Sequence, residues 1–103
     1  MKTSELQGAA LDWAVAKCVG WEEQWKLRHV RYPEMYAFTT DWQQGGPIIE
    51  REKLFLIPHQ GHWSSRPYAG GDFTYGPTPL IAAMRCYVAS KMGDEVEIPE
   101  ELK

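Results

Sequence analysis

The sequence predicts an α+β fold: two helices packed on one face of a small, mostly antiparallel sheet. Two stretches, residues 4–19 and 79–92, carry helix start and stop signals around apolar residues at helical spacing. The segments between them are short, extended in character and punctuated by Gly and Pro. Parallel pairing of those segments would need crossover helices that this reading does not supply, so the sheet is expected to be antiparallel. With 103 residues the chain is read as one domain, 1–103, holding one modest core.

The first helix opens on a capping box, Ser4 as cap with Gln7 three residues on, and is expected to stop at Gly20. Leu11, Ala14, Val15 and Cys18, with Gly8 on the same side, form its buried face, and Trp13 lies off that stripe as a rim residue or a contact for another chain. Residues 21–36 lose the helical period; the alternation over 27–32 reads as a short strand before Pro33, and 35–40 as a second extended segment. Asp41-Trp42-Gln43-Gln44-Gly45-Gly46-Pro47 then reads as a loop by composition. Residues 48–52 and 53–57 follow as adjacent extended segments, the run 54–57 being the most buried strand and Pro58 its end. The polar, glycine-bearing, aromatic stretch 59–75 reads as a long loop of the kind that carries function.

The second helix is the most explicit element. Thr78 is its N-cap, Pro79 suits the first helical position, and Gly93 ends it. Residues 94–99 alternate like an edge strand or extended tail, and 100–103 read as a frayed end.

Chemistry is sparse. His59 and His62 have an H-x-x-H spacing but no further ligands beyond Asp72, so no metal site is assigned. Cys18 and Cys86 fall in apolar helical patterns as inert packing thiols; no signal-peptide order precedes them, so a reduced, cytoplasmic setting is expected, with a disulfide left open. No serine elbow or phosphate loop is present, so no catalytic residue and no cofactor are assigned. The net charge of −3 argues against duplex nucleic acid as a partner, and no apolar run is long enough for a membrane span.

Binding chemistry has more support. Thr40, Asp41, Trp42 and Gln43 bring hydroxyl, carboxylate, indole and amide groups together; the alternative is a turn in which Asp41 bonds its own backbone and Trp42 plugs the core edge. The helix start at Thr78 presents free N–H groups just after Tyr75, and Arg85 on an apolar helix must reach the rim, meet a carboxylate such as Asp41, or meet an anionic ligand. Trp63, Arg66, Tyr68 and Tyr75 add faces that stack on bases. The ligand-binding set is therefore Thr40, Asp41, Trp42, Gln43, Trp63, Arg66, Tyr75, Thr78 and Arg85, facing a nucleotide-like small molecule.

The opening residues 1–6, the middle 40–50 and the closing 76–102 resemble the NinX-type proteins of lambdoid bacteriophages. The resemblance implies a phage accessory protein acting in the host bacterial cytoplasm, and it brings no catalytic residues. Within it, the leading expectation is a non-catalytic small-molecule binder that sequesters a nucleotide-derived host immune signal. The alternative is a protein-binding module for a replication or recombination factor, anchored by Trp13, Trp21 and Trp25. The aromatic excess also leads us to expect a symmetric homo-oligomer.

Overall fold

The computed structural model describes residues 1–20 and 36–102. Across them the chain is α+β, with helices α1 (Gly8–Cys18), α2 (Trp42–Glu52) and α3 (Pro79–Met92) and strands β1 (Leu54–His59), β2 (His62–Pro67) and β3 (Thr74–Gly76). The strands form one antiparallel sheet in the order β1-β2-β3, and 3₁₀ turns occupy Thr3–Glu5 and Glu100–Leu102. The strand predicted over 27–32, together with Trp21 and Trp25, lies outside the described residues.

α3 forms as its punctuation dictates. Thr78 Oγ1 accepts from Ile81 N at 3.2 Å, Pro79 opens the helix, and Gly93 ends it with φ 85°. The helix buries Leu80, Ala82, Ala83, Met84, Cys86, Tyr87 and Val88, because it lies between the sheet on one side and α1 and α2 on the others. The sheet approaches it closely at Gly76: a Cβ there would stand 2.7 Å from Ala82 N. Thr74 Oγ1 donates to Ala82 O at 2.8 Å beside this contact.

α1 starts three residues later than its capping box predicts, with Gln7 rather than Ser4 in the cap position. Thr3–Glu5 forms a separate 3₁₀ turn, Ser4 is exposed without capping, and Gly8 has φ 56°, which breaks the backbone between turn and helix. The turn is held by long-range contacts instead. Thr3 N donates to Asp94 O at 2.8 Å, Thr3 Oγ1 to Gly93 O at 2.6 Å, and Lys2 bridges to Glu95. Residues 94–99 are thus the extended tail of the two forms expected, with Val96 and Ile98 buried in the core. The terminal 3₁₀ turn packs Leu102 on that core rather than fraying. On α1, Leu11, Ala14 and Val15 are buried as expected, Gly8 is exposed, and Trp13 is 4% exposed and belongs to the core rather than the rim.

α2 corrects the largest misreading. The Gly-Gly-Pro loop and the extended segment after it are one helix, capped by Asp41, whose Oδ1 accepts from Gln43 N at 2.9 Å. Gly45 and Ile48 are buried, with Ile49 and Glu52 half-buried, a helical recurrence that the breakers Gly45, Gly46 and Pro47 masked. Lys53 ends the helix in the left-handed region. The segment before it is a turn, not a strand: Thr40 N and Asp41 N both donate to Ala37 O.

The sheet is likewise reassigned. β1 runs through Pro58 to His59, and most of the predicted 59–75 loop is the tight β1–β2 hairpin followed by β3. Pro58 is tolerated because β1 is an edge strand. That position also explains why β1 is not the most buried strand; the central strand β2 is where Ser64 and Ser65 are buried.

α2 and α3 run alongside in the same direction. Gly45 faces Leu80 near their starts, and further along Arg51 Nη2 donates to Tyr87 Oη at 3.3 Å and Lys91 pairs with Glu52 at 3.1 Å. Burial by itself would raise the Glu52 carboxyl, but hydrogen bonds and charge from Lys91 and Arg51 outweigh it and hold it below the usual range. Both cysteines are free thiols; burial pushes Cys18 up to about 11 and raises Cys86 as well, so neither is an activated nucleophile.

Candidate functional site

The third strand is a sheet edge, and beside it opens a cleft of about 800 Å³. Its walls are the 70–75 segment, one side of α3 and the Thr3–Glu5 turn with residues 94–95. That volume lies in the range of small-molecule sites. Phe73 and Tyr75 supply aromatic surface, Thr3, Ser4 and Ser90 hydroxyls, Lys2 and Arg85 cations, and Asp72, Asp94 and Glu95 carboxylates.

Arg85 is the fixed charge of this cleft. Its Nε donates to Leu6 O at 2.8 Å and its Nη1 to Tyr75 O at 2.7 Å, so the guanidinium joins the turn before α1 to the free edge of β3. Among the described residues no carboxylate lies within ion-pair distance of it, and burial lowers its pKa. The expected pairing with Asp41 does not occur: Asp41 caps α2 and accepts Gln44 Nε2 at 3.1 Å.

The nine sequence-predicted residues do not meet in one place. Tyr75 and Arg85 share the cleft. Thr40, Asp41, Trp42 and Gln43 form the turn into α2 and its first residues, with Trp42 51% exposed rather than plugging the core edge. Thr78 caps α3 and its side chain is committed to Ile81 N. Trp63 is half-buried beside Gly76 in the sheet register. Arg66 projects from the opposite face of the sheet, over the Phe55 ring at 4.7 Å. Trp13, a proposed anchor for a protein partner, is enclosed by this chain's own core.

Lys2, Phe73, Ser90 and Asp94 were not singled out from sequence. Phe73 had a signal, an aromatic in a glycine-bearing stretch. Ser90 lies on the α3 wall, and Lys2 and Asp94 line the cleft because the two ends of the described chain meet at the Lys2–Glu95 bridge. Sequence reading also missed that His59 and His62 are cross-strand partners, stacked in parallel with ring centroids 4.6 Å apart. His59 Nε2 bonds Ser64 Oγ at 2.8 Å, but that hydroxyl is buried, and among the described residues no third group hydrogen-bonds the imidazole to orient the pair.

What the fold and cleft define is a small α+β protein with an open, mixed-charge cavity and, among the described residues, no cluster of three metal-ligating side chains. No helix among those residues is long and apolar enough to cross a membrane. The family model described as Bacteriophage P22, NinX matches residues 2–91, and the chain belongs to this NinX family of phage proteins. Membership makes it a phage accessory protein and indicates no catalytic activity. No curated protein matches the chain.

Proposed function

We propose that this phage accessory protein is a non-catalytic binder of a nucleotide-like small molecule, held in the cleft beside β3, and that it acts in the host cytoplasm by sequestering a nucleotide-derived immune signal. The observation that carries the reading is Arg85, a guanidinium locked by two backbone carbonyls and, among the described residues, without a carboxylate partner, at the wall of a cavity of about 800 Å³. Such a group receives a phosphate without reorganising. Phe73 at the cleft wall offers stacking surface, and the cleft carboxylates suit ribose hydroxyl and base amino donors rather than a bare anion. Burial raises the pKa of the Cys86 thiol on the cleft wall, so it is no activated nucleophile, which is in keeping with holding rather than turnover.

The test is a thermal-shift and calorimetric screen against cyclic dinucleotides and ADP-ribose derivatives. A ligand at a hundred times its Kd adds about 2.7 kcal/mol of stability, a rise in Tm of roughly 10 °C or more for a domain of this size. Ala89→Phe, which fills the cleft from α3 without touching the Arg85 bonds, abolishes the shift. Intact ligand released on denaturation supports holding; a hydrolysed product, or no stabilisation by any compound, refutes the proposal.

A further inference from the structure

The face of the sheet turned away from α3 gathers aromatic rings, two imidazoles and a guanidinium. Alternation along the strands puts Phe55, Ile57 and His59 of β1, His62, Ser64 and Arg66 of β2, and Tyr75 of β3 on this side. The opposite side, with Leu54, Leu56, Ser65, Thr74 and Gly76, packs on the core and α3.

The outer face is aromatic and cationic. Arg66 lies 4.7 Å over the Phe55 ring and 5.8 Å from that of Phe73, and Phe55 meets Tyr68 at 5.9 Å. Towards the hairpin, the stacked His59–His62 pair meets Tyr75 at 6.0 Å. Phe55 is 38% and Tyr75 54% exposed, so these rings present surface to solvent instead of plugging the core. The chain has 14 Asp and Glu, yet none falls between Lys53 and Gly71 or on any of the three strands. A net-negative protein has thus cleared one sheet face of acids while placing Arg66 and two imidazoles there.

We infer that this face is a stacking platform for single-stranded nucleic acid. Phe55 and His59 are four residues apart on one strand, about 13 Å, a length over which sheet-borne aromatics stack about two or three bases. Rings accept bases of any sequence, and Arg66 meets the phosphates that pass between the two clusters. Duplex DNA does not expose base faces to such a surface. A second copy of the chain fits poorly, because a two-fold contact through this face would bury Arg66 from both copies with no strand carboxylate there to pair with either.

The experiment is fluorescence anisotropy of the full chain with a short labelled single-stranded DNA and with its duplex, at low and moderate salt, alongside light scattering. The single strand is expected to bind at least tenfold tighter than the duplex. Phe55→Ala and Tyr75→Ala each weaken binding by about tenfold or more, and Arg66→Gln lowers the magnitude of the salt slope by about 0.7. Trp42→Ala, an exposed aromatic off the sheet, leaves binding unchanged. The altered rings are exposed, so near-UV circular dichroism should report retained folding. Absence of binding at about 100 µM protein, beyond which even non-specific affinity falls, overturns the inference. Equal loss in the Trp42 variant does the same, as does a dimer that Phe55→Ala dissolves while no oligonucleotide binds.

Discussion

Gly45 and Gly46 are neighbours in a stretch whose composition reads as a loop, and the helix α2 assigns them opposite consequences on substitution. Gly46 faces open space: an added Cβ meets nothing nearer than Trp42 Cε3 at 4.0 Å. Gly46→Ala therefore gains helix propensity and loses nothing, a stabilisation of about 0.8–1 kcal/mol. At Gly45 the same methyl would stand 2.6 Å from Leu80 Cδ2 and 2.6 Å from Phe38 O. The leucine tip can turn aside, but the carbonyl is backbone, so α2 must move away from α3 and from the turn that precedes it. Overpacking of that kind costs roughly 1–3 kcal/mol, which exceeds the propensity gained. The propensity gain is common to both, so the two variants should differ by about 1–3 kcal/mol in urea unfolding, with Tm separated by 4–8 °C for each kcal/mol. Shifts of the same sign in both would refute the helix and its seat against Leu80.

Asp12 makes stability depend on pH. Burial pushes its carboxyl up to about 6, against the lowering effect of hydrogen bonds from Thr39, whose N–H it accepts at 3.0 Å, and from Phe38. The folded state keeps the proton to higher pH than the unfolded chain, so stability falls as pH rises from about 4 to 6 and stays lower above. Asp12→Asn keeps an acceptor for Thr39 and flattens that slope, a gain on the order of 1–3 kcal/mol at pH 7 once partial solvent access is allowed for; chemical denaturation at several pH values measures it, and an unchanged slope counts against the assignment. Ser65 is fully buried and, among the described residues, its Oγ has no hydrogen-bond partner beyond a weak interaction with the Cys86 thiol. Ser65→Ala should therefore stabilise the protein by about 1 kcal/mol in the same assay, and a loss of that size would mean the hydroxyl is satisfied.

Local chemistry made α3 legible in full: Thr78, Pro79 and Gly93 act on their own neighbours, and those effects survive any tertiary arrangement. The end of α1 at Gly20, the α+β class and the NinX family were readable for related reasons, since stop signals, element types and family patterns are written along the chain. The candidate site was half legible. Tyr75 and Arg85 were named and do share a cleft, but Lys2 and Asp94 reach it through a bridge between segments more than ninety residues apart, which no local pattern encodes.

Tertiary structure decided the rest by overriding propensity. Gly45, Gly46 and Pro47 each disfavour a helix, yet α2 forms because Asp41 caps it and because Gly45 lets it lie against Leu80. Ser4 and Gln7 spell a capping box that goes unused, because Thr3 is held by Gly93 and Asp94 and Gly8 turns the backbone left-handed. Within the expected loop 59–75, residues 62–67 and 74–75 became strands once a neighbouring edge was there to complete their hydrogen bonds. Sequence determined which segments were able to be helical or extended; packing determined where β2 would be central, which face of the sheet would turn away from α3, and that a single arginine would tie the edge strand β3 to the turn before α1.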